Sequence, residues 1–220
     1  MWLKRSRPLL RLAILGVPFL FAGTVDWPGA WLFATVIAAT ILLNLAVMRR
    51  WNPSLLRARL ESHAGTKTFD KVFGAVAALS IGAMLAVAGL DHRFGWSRLT
   101  SATIYMGIAL HFAGMIPITW TMAVNPFLET TVRIQSDRGH FAVRSGPYCV
   151  VRHPMYAGLL TALSGWPLIF GSVWSYLPGA ILAVALVIRT VFEDRTLRSE
   201  LDGYRDYTNR TPFRLVPMVW

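Results

Sequence analysis

The chain has 220 residues, of which 55% are hydrophobic and 15% charged, and its mean hydropathy is +0.47. Soluble domains carry about 25% charged residues, so this composition leaves too little polar surface for a water-soluble globule and excludes a disordered chain. A single cysteine, Cys149, excludes a disulfide framework, and the net charge of +11 must be read as membrane topology before it is read as affinity for nucleic acid.

Charge-free runs mark the predicted elements. A spanning helix needs about 20 apolar residues, because the hydrocarbon core is ~30 Å thick and a helix rises ~1.5 Å per residue. Leu12 to Val25 has only 14 residues, but with Leu9, Leu10 and a snorkelling Arg11 it makes a short first span. Lys4, Arg5 and Arg7 ahead of it and Ala22-Gly23 at its end also fit a signal peptide, which is the rival reading. Trp27 to Met48 (22 residues), Val72 to Leu90 (19) and Leu99 to Leu128 (30) each fit one span. The basic loop 49–71 is expected to begin as an interfacial helix from Pro53 to Glu61. Pro154 to Ile188 runs for 35 residues and fits two short spans folded as a tight hairpin at Gly171-Ser172. The expectation is an all-α, polytopic integral membrane protein with about six transmembrane helices, a C-terminal helical hairpin and a cytoplasmic catalytic region.

Six spans place both termini on one side. That side collects every Lys and Arg except Arg93 and Arg98, as the positive-inside rule expects of a protein with both termini in the cytoplasm. The basic balance is therefore an orientation signal, with attraction to anionic membrane lipids added, and no nucleic-acid partner is expected. Residues 1–125 read as a scaffold of four helices. Residues 126–220 hold a polar loop, the hairpin and a charged tail.

Two groups in the second half carry candidate chemistry. Pro154 suits the first turn of a helix, which puts His153 near the N-cap, where free N–H groups favour an anion such as a carboxylate. Arg189 and Glu193 share a helix face at i and i+4, and Glu193 stands beside Asp194. Paired carboxylates at a bilayer edge are costly unless water, arginine or a cationic ligand faces them. Ordinary readings exist for both: an interfacial histidine with a capping proline, and a snorkelling helix end with an ion pair. Joined by the hairpin, however, the two groups come to one membrane face and suit a ligand with both signs of charge. Tyr148, Tyr156, Trp166 and Phe192 could supply flat contacts or serve as interfacial anchors. There is no GxGxxG, P-loop or HExxH, and the five histidines show no ligand spacing, so no metal is expected. His111, in mid-span, reads as a packed core histidine.

The stretch Asp137 to Tyr148, then Val151-Arg152-His153-Pro154-Met155-Tyr156-Ala157-Gly158, resembles the signature of the isoprenylcysteine carboxyl methyltransferase family, which is related to the membrane phospholipid methyltransferases. The likeness continues through Arg189 to Asp194, Gly203 to Tyr207 and Arg214 to Pro217, about the last 90 residues. It implies a membrane methyltransferase that uses S-adenosyl-L-methionine without a Rossmann domain. Its cofactor site would use Gln135, His140, Phe141, Ala142, Val143, Tyr148, His153, Pro154, Met155, Tyr156 and Glu193. Arg189 would face a lipid or prenylated acceptor entering from the bilayer, with Arg189, Glu193 and His153 at the chemistry. The acceptor group would be a carboxylate, with a phospholipid amine as the alternative. The second acid is Asp194, where the family usually has Glu. A sterol-reductase-like membrane enzyme using a nicotinamide cofactor and a non-catalytic membrane scaffold are the competing classes.

Overall fold

The computed structural model describes residues 14–60 and 67–220, and all statements below concern these. A 3-10 turn at Ile14–Gly16 leads into α1 (Val17–Ala22), followed by α2 (Pro28–Trp51), α3 (Pro53–Leu60), α4 (Thr68–Phe94) and α5 (Ser101–Val124). An irregular segment then precedes α6 (Pro154–Phe170), α7 (Tyr176–Glu200) and α8 (Tyr204–Arg210). No strand is present among the described residues.

Four of these helices, α2, α4, α5 and α7, have the length and hydropathy of membrane spans. Four of the expected six are thus seen among the described residues. The first expected span, Leu12 to Val25, breaks at the left-handed Gly23, and its described part is only a 3-10 turn and a six-residue helix. The basic residues ahead of it lie outside the described residues. The 35-residue run divides at Gly171, and its first part, α6, has 17 residues, about 25 Å at 1.5 Å per residue, the short end of the range for a span.

Glycines fix how α5 and α6 meet. A Cβ on Gly114 would lie 2.4 Å from the Gly158 carbonyl oxygen, and one on Gly158 would lie 2.4 Å from that of Gly114. Seven residues along, Gly107 and Gly165 repeat the arrangement at 2.6 and 2.3 Å. The helices are antiparallel and their backbones touch. In lipid, where apolar side chains gain little by leaving the solvent, such close approach is a main source of helix association. Polar pairs hold α2 to α5: Thr40 Oγ1 lies 2.9 Å from His111 Nε2, and Thr119 Oγ1 donates to Asn44 Oδ1 at 2.9 Å. Trp166 Nε1 donates to His111 Nδ1 at 3.2 Å, so Nε2 carries the proton and donates to Thr40. His111 is the satisfied core histidine that the sequence predicts.

The elbow between α2 and α3 is set by Asn52. Its Nδ2 donates to the carbonyls of Met122 (2.9 Å) and Asn125 (3.0 Å), pinning the elbow to the end of α5. At the other end of the bundle, Asp91 accepts from the Ser97 N–H (2.7 Å), Ser97 Oγ (2.6 Å) and Ser172 Oγ (2.6 Å). This joins the end of α4 to the turn between α6 and α7.

The glycine contact makes a quantitative claim. Gly158→Ala puts a methyl group into backbone and should lower stability by about 1–3 kcal/mol, the usual cost of overpacking. Unfolding in mixed micelles measures it, and wild-type stability in Gly158→Ala would mean that the helices are not in backbone contact.

Candidate active site

The segment between α5 and α6 is folded by charge. Glu129, buried at 8% exposure, takes Arg133 on both carboxylate oxygens (2.9 and 3.0 Å) and Arg138 at 3.4 Å. Arg133 also reaches Asp137 at 2.9 Å. Within this clamp Gln135 is consumed: its amide donates to the Phe127 carbonyl at 2.7 Å and accepts from Arg138 at 2.5 Å. It is 1% exposed and does not reach the cleft wall. The sequence expectation that Gln135 contacts cofactor is thus corrected to a role in shaping the loop. Left-handed Gly139 turns the chain so that His140, Phe141, Ala142 and Val143 run along a cleft.

That cleft, of about 90 Å³, lies between this strip, the start of α6 and the C-terminal half of α7. Small-molecule sites usually span roughly 300–1,000 Å³, so the cleft as it stands is smaller than a site for a ligand of ordinary size. Tyr148, His153, Pro154, Met155, Tyr156, Arg189 and Glu193 all line it, with Arg152 and Tyr204. The structure therefore brings together every sequence-predicted site residue except Gln135. Of the flat contacts, Trp166 lies far off beside His111, and Phe192 stacks outside on Phe69 at 5.4 Å.

The two neighbouring acids have different surroundings. Asp194, 1% exposed, receives Arg152 Nε (2.8 Å), Arg198 Nε (3.1 Å), Arg214 Nε (3.1 Å) and the Tyr204 hydroxyl (3.1 Å). Arg152 in turn donates to the carbonyls of Thr211 (2.8 Å) and Pro212 (2.6 Å). Asp194 therefore welds α6, α7, α8 and the tail together. No arginine forms a close ion pair with Glu193 among the described residues, although the Arg189 charge is within electrostatic reach. Its carboxylate takes the Tyr156 hydroxyl at 2.5 Å, lies 3.9 Å from His153 Nδ1, and keeps 19% of its side chain exposed on the cleft. This is the acid available to a ligand.

Arg189 finds its partner elsewhere. Its Nε donates to Asp70 at 2.7 Å and its Nη2 to the Thr130 carbonyl at 3.2 Å, while its plane lies over Phe73 and Tyr156. Neither the expected pairing with Glu193 nor an idle guanidinium is found. Asp70 was not singled out in the sequence, although an acid opening a long apolar helix and buried to 6% is a signal of its kind. Arg152, next to His153, was missed likewise.

Two nitrogens on the wall are distinctive. His153 Nε2 is buried without a hydrogen-bond partner among the described residues, 3.5 Å from Asp194 Oδ1, and its ring stacks parallel to Tyr156. His140 accepts the Gln135 N–H on Nδ1 at 3.3 Å, and burial together with the Arg133 charge pushes its pKa down to about 4.

The acids predict opposite phenotypes. Asp194→Asn strips a buried hub of its charge and should lower stability by about 3–5 kcal/mol, whereas Glu193→Gln should leave the unfolding transition close to wild type. Chemical unfolding in detergent separates them, and equal stability of the two variants would remove the hub. His140 gives a pH effect. Its folded-state pKa is below its unfolded value of ~6.5, so its contribution is complete above that pH and is lost as pH falls toward about 4. Wild type should therefore lose more stability than His140→Gln across this window, and parallel pH curves would contradict it.

A family model described as phospholipid methyltransferase matches residues 102–201, from the first turn of α5 through the cleft to the end of α7. No curated protein matches the chain. The match takes in the glycine-packed α5–α6 pair, the charged loop and both acids, and leaves out Asp70, Tyr204 and Arg214, which complete the site from either side. Residues 102–201 are thus similar to the phospholipid methyltransferase family, a likeness that indicates a methyltransferase domain over this part of the chain.

Proposed function

We propose that the chain transfers a methyl group from S-adenosyl-L-methionine to a lipophilic acceptor, most directly the carboxylate of a prenylated cysteine or a similar isoprenoid or lipid acid. The observation that carries this reading is the division of labour between the acids: Asp194 is saturated, and Glu193 faces the cleft. A ligand combining a sulfonium, an ammonium and a carboxylate suits that wall. Glu193 would hold the ammonium or the ribose hydroxyls. The free N–H groups at the start of α6, which lines the cleft, would hold the carboxylate. His140, Phe141, Ala142, Val143 and Tyr148 would cover the flat part, with Pro154, Met155 and Tyr156 opposite.

The bound cofactor would supply an electrophilic methyl group on sulfur. The residues need only align an acceptor oxygen behind that methyl, so that the O–C bond forms as the C–S bond breaks and its electron pair stays on sulfur. Holding two reactants in line provides much of the rate in such a displacement. A carboxylate is already ionised and needs no base. Arg189, its charge matched by Asp70, would form the rigid acceptor-side wall through its contacts with Tyr156.

A phospholipid amine is the second reading, favoured by the description of the matching family. It would require a proton acceptor, and Glu193 with Tyr156 is the only acid on the cleft without an arginine among the described residues. A lipophilic acceptor is supported by an open apolar trough of about 820 Å³ between α2 and α5, lined by Leu43, Val47, Trp51, Ile116, Trp120 and Val124. Both termini are proposed to be cytoplasmic, on the strength of the basic-residue distribution, which puts the cleft on the cytoplasmic face.

S-adenosylhomocysteine should bind the purified protein, and Glu193→Gln should weaken that binding by about 1.5–3 kcal/mol, the range for hydrogen bonds to charged groups. Calorimetric titration in detergent measures both. Equal affinity in wild type and Glu193→Gln would take Glu193 out of the site, and absence of binding would refute the cofactor.

A further inference from the structure

Arginines away from the exposed surface are matched with carboxylates, with one exception. Arg133 and Arg138 share Glu129, Arg152 and Arg214 share Asp194, and Arg189 has Asp70. Arg59 on α3 is half-buried too, yet among the described residues it meets no carboxylate. Its one hydrogen bond among them runs from Nε to the Leu128 carbonyl at 2.9 Å. Removing a guanidinium from water without a counter-charge is costly, and here burial does push its pKa down.

The position is built, not incidental. Asn52 fixes the α2–α3 elbow to the end of α5, and its Oδ1 accepts the Leu55 N–H at 3.3 Å, opening α3. Leu55, fully buried, packs with Met48, Met115 and Met122 and orients the short helix. Arg59 is thereby held behind Leu128, which lines the cleft, and within electrostatic reach of the Tyr148 and Tyr156 hydroxyls on the same wall. With Nε spent on Leu128, the two terminal nitrogens present a fork suited to an oxyanion. Trp51, the residue before the elbow, belongs to the apolar trough. A chain lying in that trough ends beside α3.

We propose that Arg59 grips the negatively charged head of the lipid acceptor, a carboxylate or a phosphate, while the hydrocarbon chain lies in the trough between α2 and α5. This rests on the methyltransferase reading and adds the residue that selects a charged acceptor. The acceptor then supplies the counter-charge that Arg59 does not find among the described residues. Met115, on the trough wall, and Met155, on the cleft wall, belong to one cluster with Leu128, so the partition between the two spaces is made of adaptable side chains.

The test uses the full-length protein in phosphatidylcholine nanodiscs, with N-acetyl-S-farnesylcysteine, its uncharged methyl ester and farnesyl phosphate as probes. Wild type should bind at least one of the two anions about tenfold or more tightly than the ester, and the anion preferred identifies the head group. Arg59→Gln should reduce that preference below threefold, and Arg59→Lys, which keeps the charge and loses the fork, should fall between. S-adenosylhomocysteine affinity should stay within twofold in both variants, which also shows that they fold. An anion preference that survives Arg59→Gln, or a wild type without one, overturns the proposal. So does cofactor affinity that falls in step with acceptor affinity. Wild-type protein that binds no S-adenosylhomocysteine refutes the cofactor reading separately, since the acid-over-ester preference is read without cofactor.

Discussion

The site depends on the burial of one carboxylate among three arginines. Asp194 accepts from Arg152 on the approach to α6, from Arg198 one turn along α7, and from Arg214 in the tail, with Tyr204 of α8 as a fourth donor. These groups come from four parts of the chain, and no other described residue joins all of them. A buried carboxylate in such a set is tolerated because each oxygen is fully engaged, and losing any member leaves a charge stranded. The tail is drawn in by the same device. The backbone N–H groups of Arg152 and His153 donate to the carbonyls of Phe213 and Arg214 at 2.9 Å each, so the start of α6 is held from both sides. His153 is part of this framework, its Nε2 3.5 Å from Asp194, whereas Glu193 is positioned beside it and faces the cleft.

The membrane part solves a different problem. Lipid gives apolar side chains no reason to associate, so the bundle relies on backbone contact between glycines and on a few polar pairs. The α5–α6 contact sets the height of the first turn of α6 relative to the end of α5, and hence the separation of His153 from Asn125. Asn125 also donates to the Tyr148 hydroxyl at 2.6 Å, fixing the far wall of the cleft to the same helix end. Packing in the membrane thus fixes geometry in the aqueous site.

Much of this was legible in the residues, and the reasons for the rest are physical. Long charge-free runs located α2, α4, α5 and α7 because a span has no alternative to sustained hydrophobicity. At α6 the apolar run yields a helix of only 17 residues, because the chain turns at Gly171 while glycine packing seats the helix against α5. The strip His140 to Val143, the start of α6 and Glu193, singled out by their motifs, line one cleft. Gln135 is buried in the loop rather than on the cleft, because a polar side chain's position in sequence says nothing about which way it is spent. The identity of Arg189's partner was not readable: Asp70 lies 119 positions earlier, and only the fold brings them to 2.7 Å. Adjacent acids also look equivalent in sequence, and the helix turns them to opposite surroundings, one into arginines and the other toward the cleft.

The central claim is that the loop strip, the start of α6 and Glu193 form one cofactor site. Hydrogen–deuterium exchange of the full-length protein in detergent, with and without saturating S-adenosylhomocysteine, tests it most directly. Protection is predicted in residues 127–143 and 153–157, with no change in 28–51 or 101–113. Saturable protection that maps to other segments and spares these two would contradict the account.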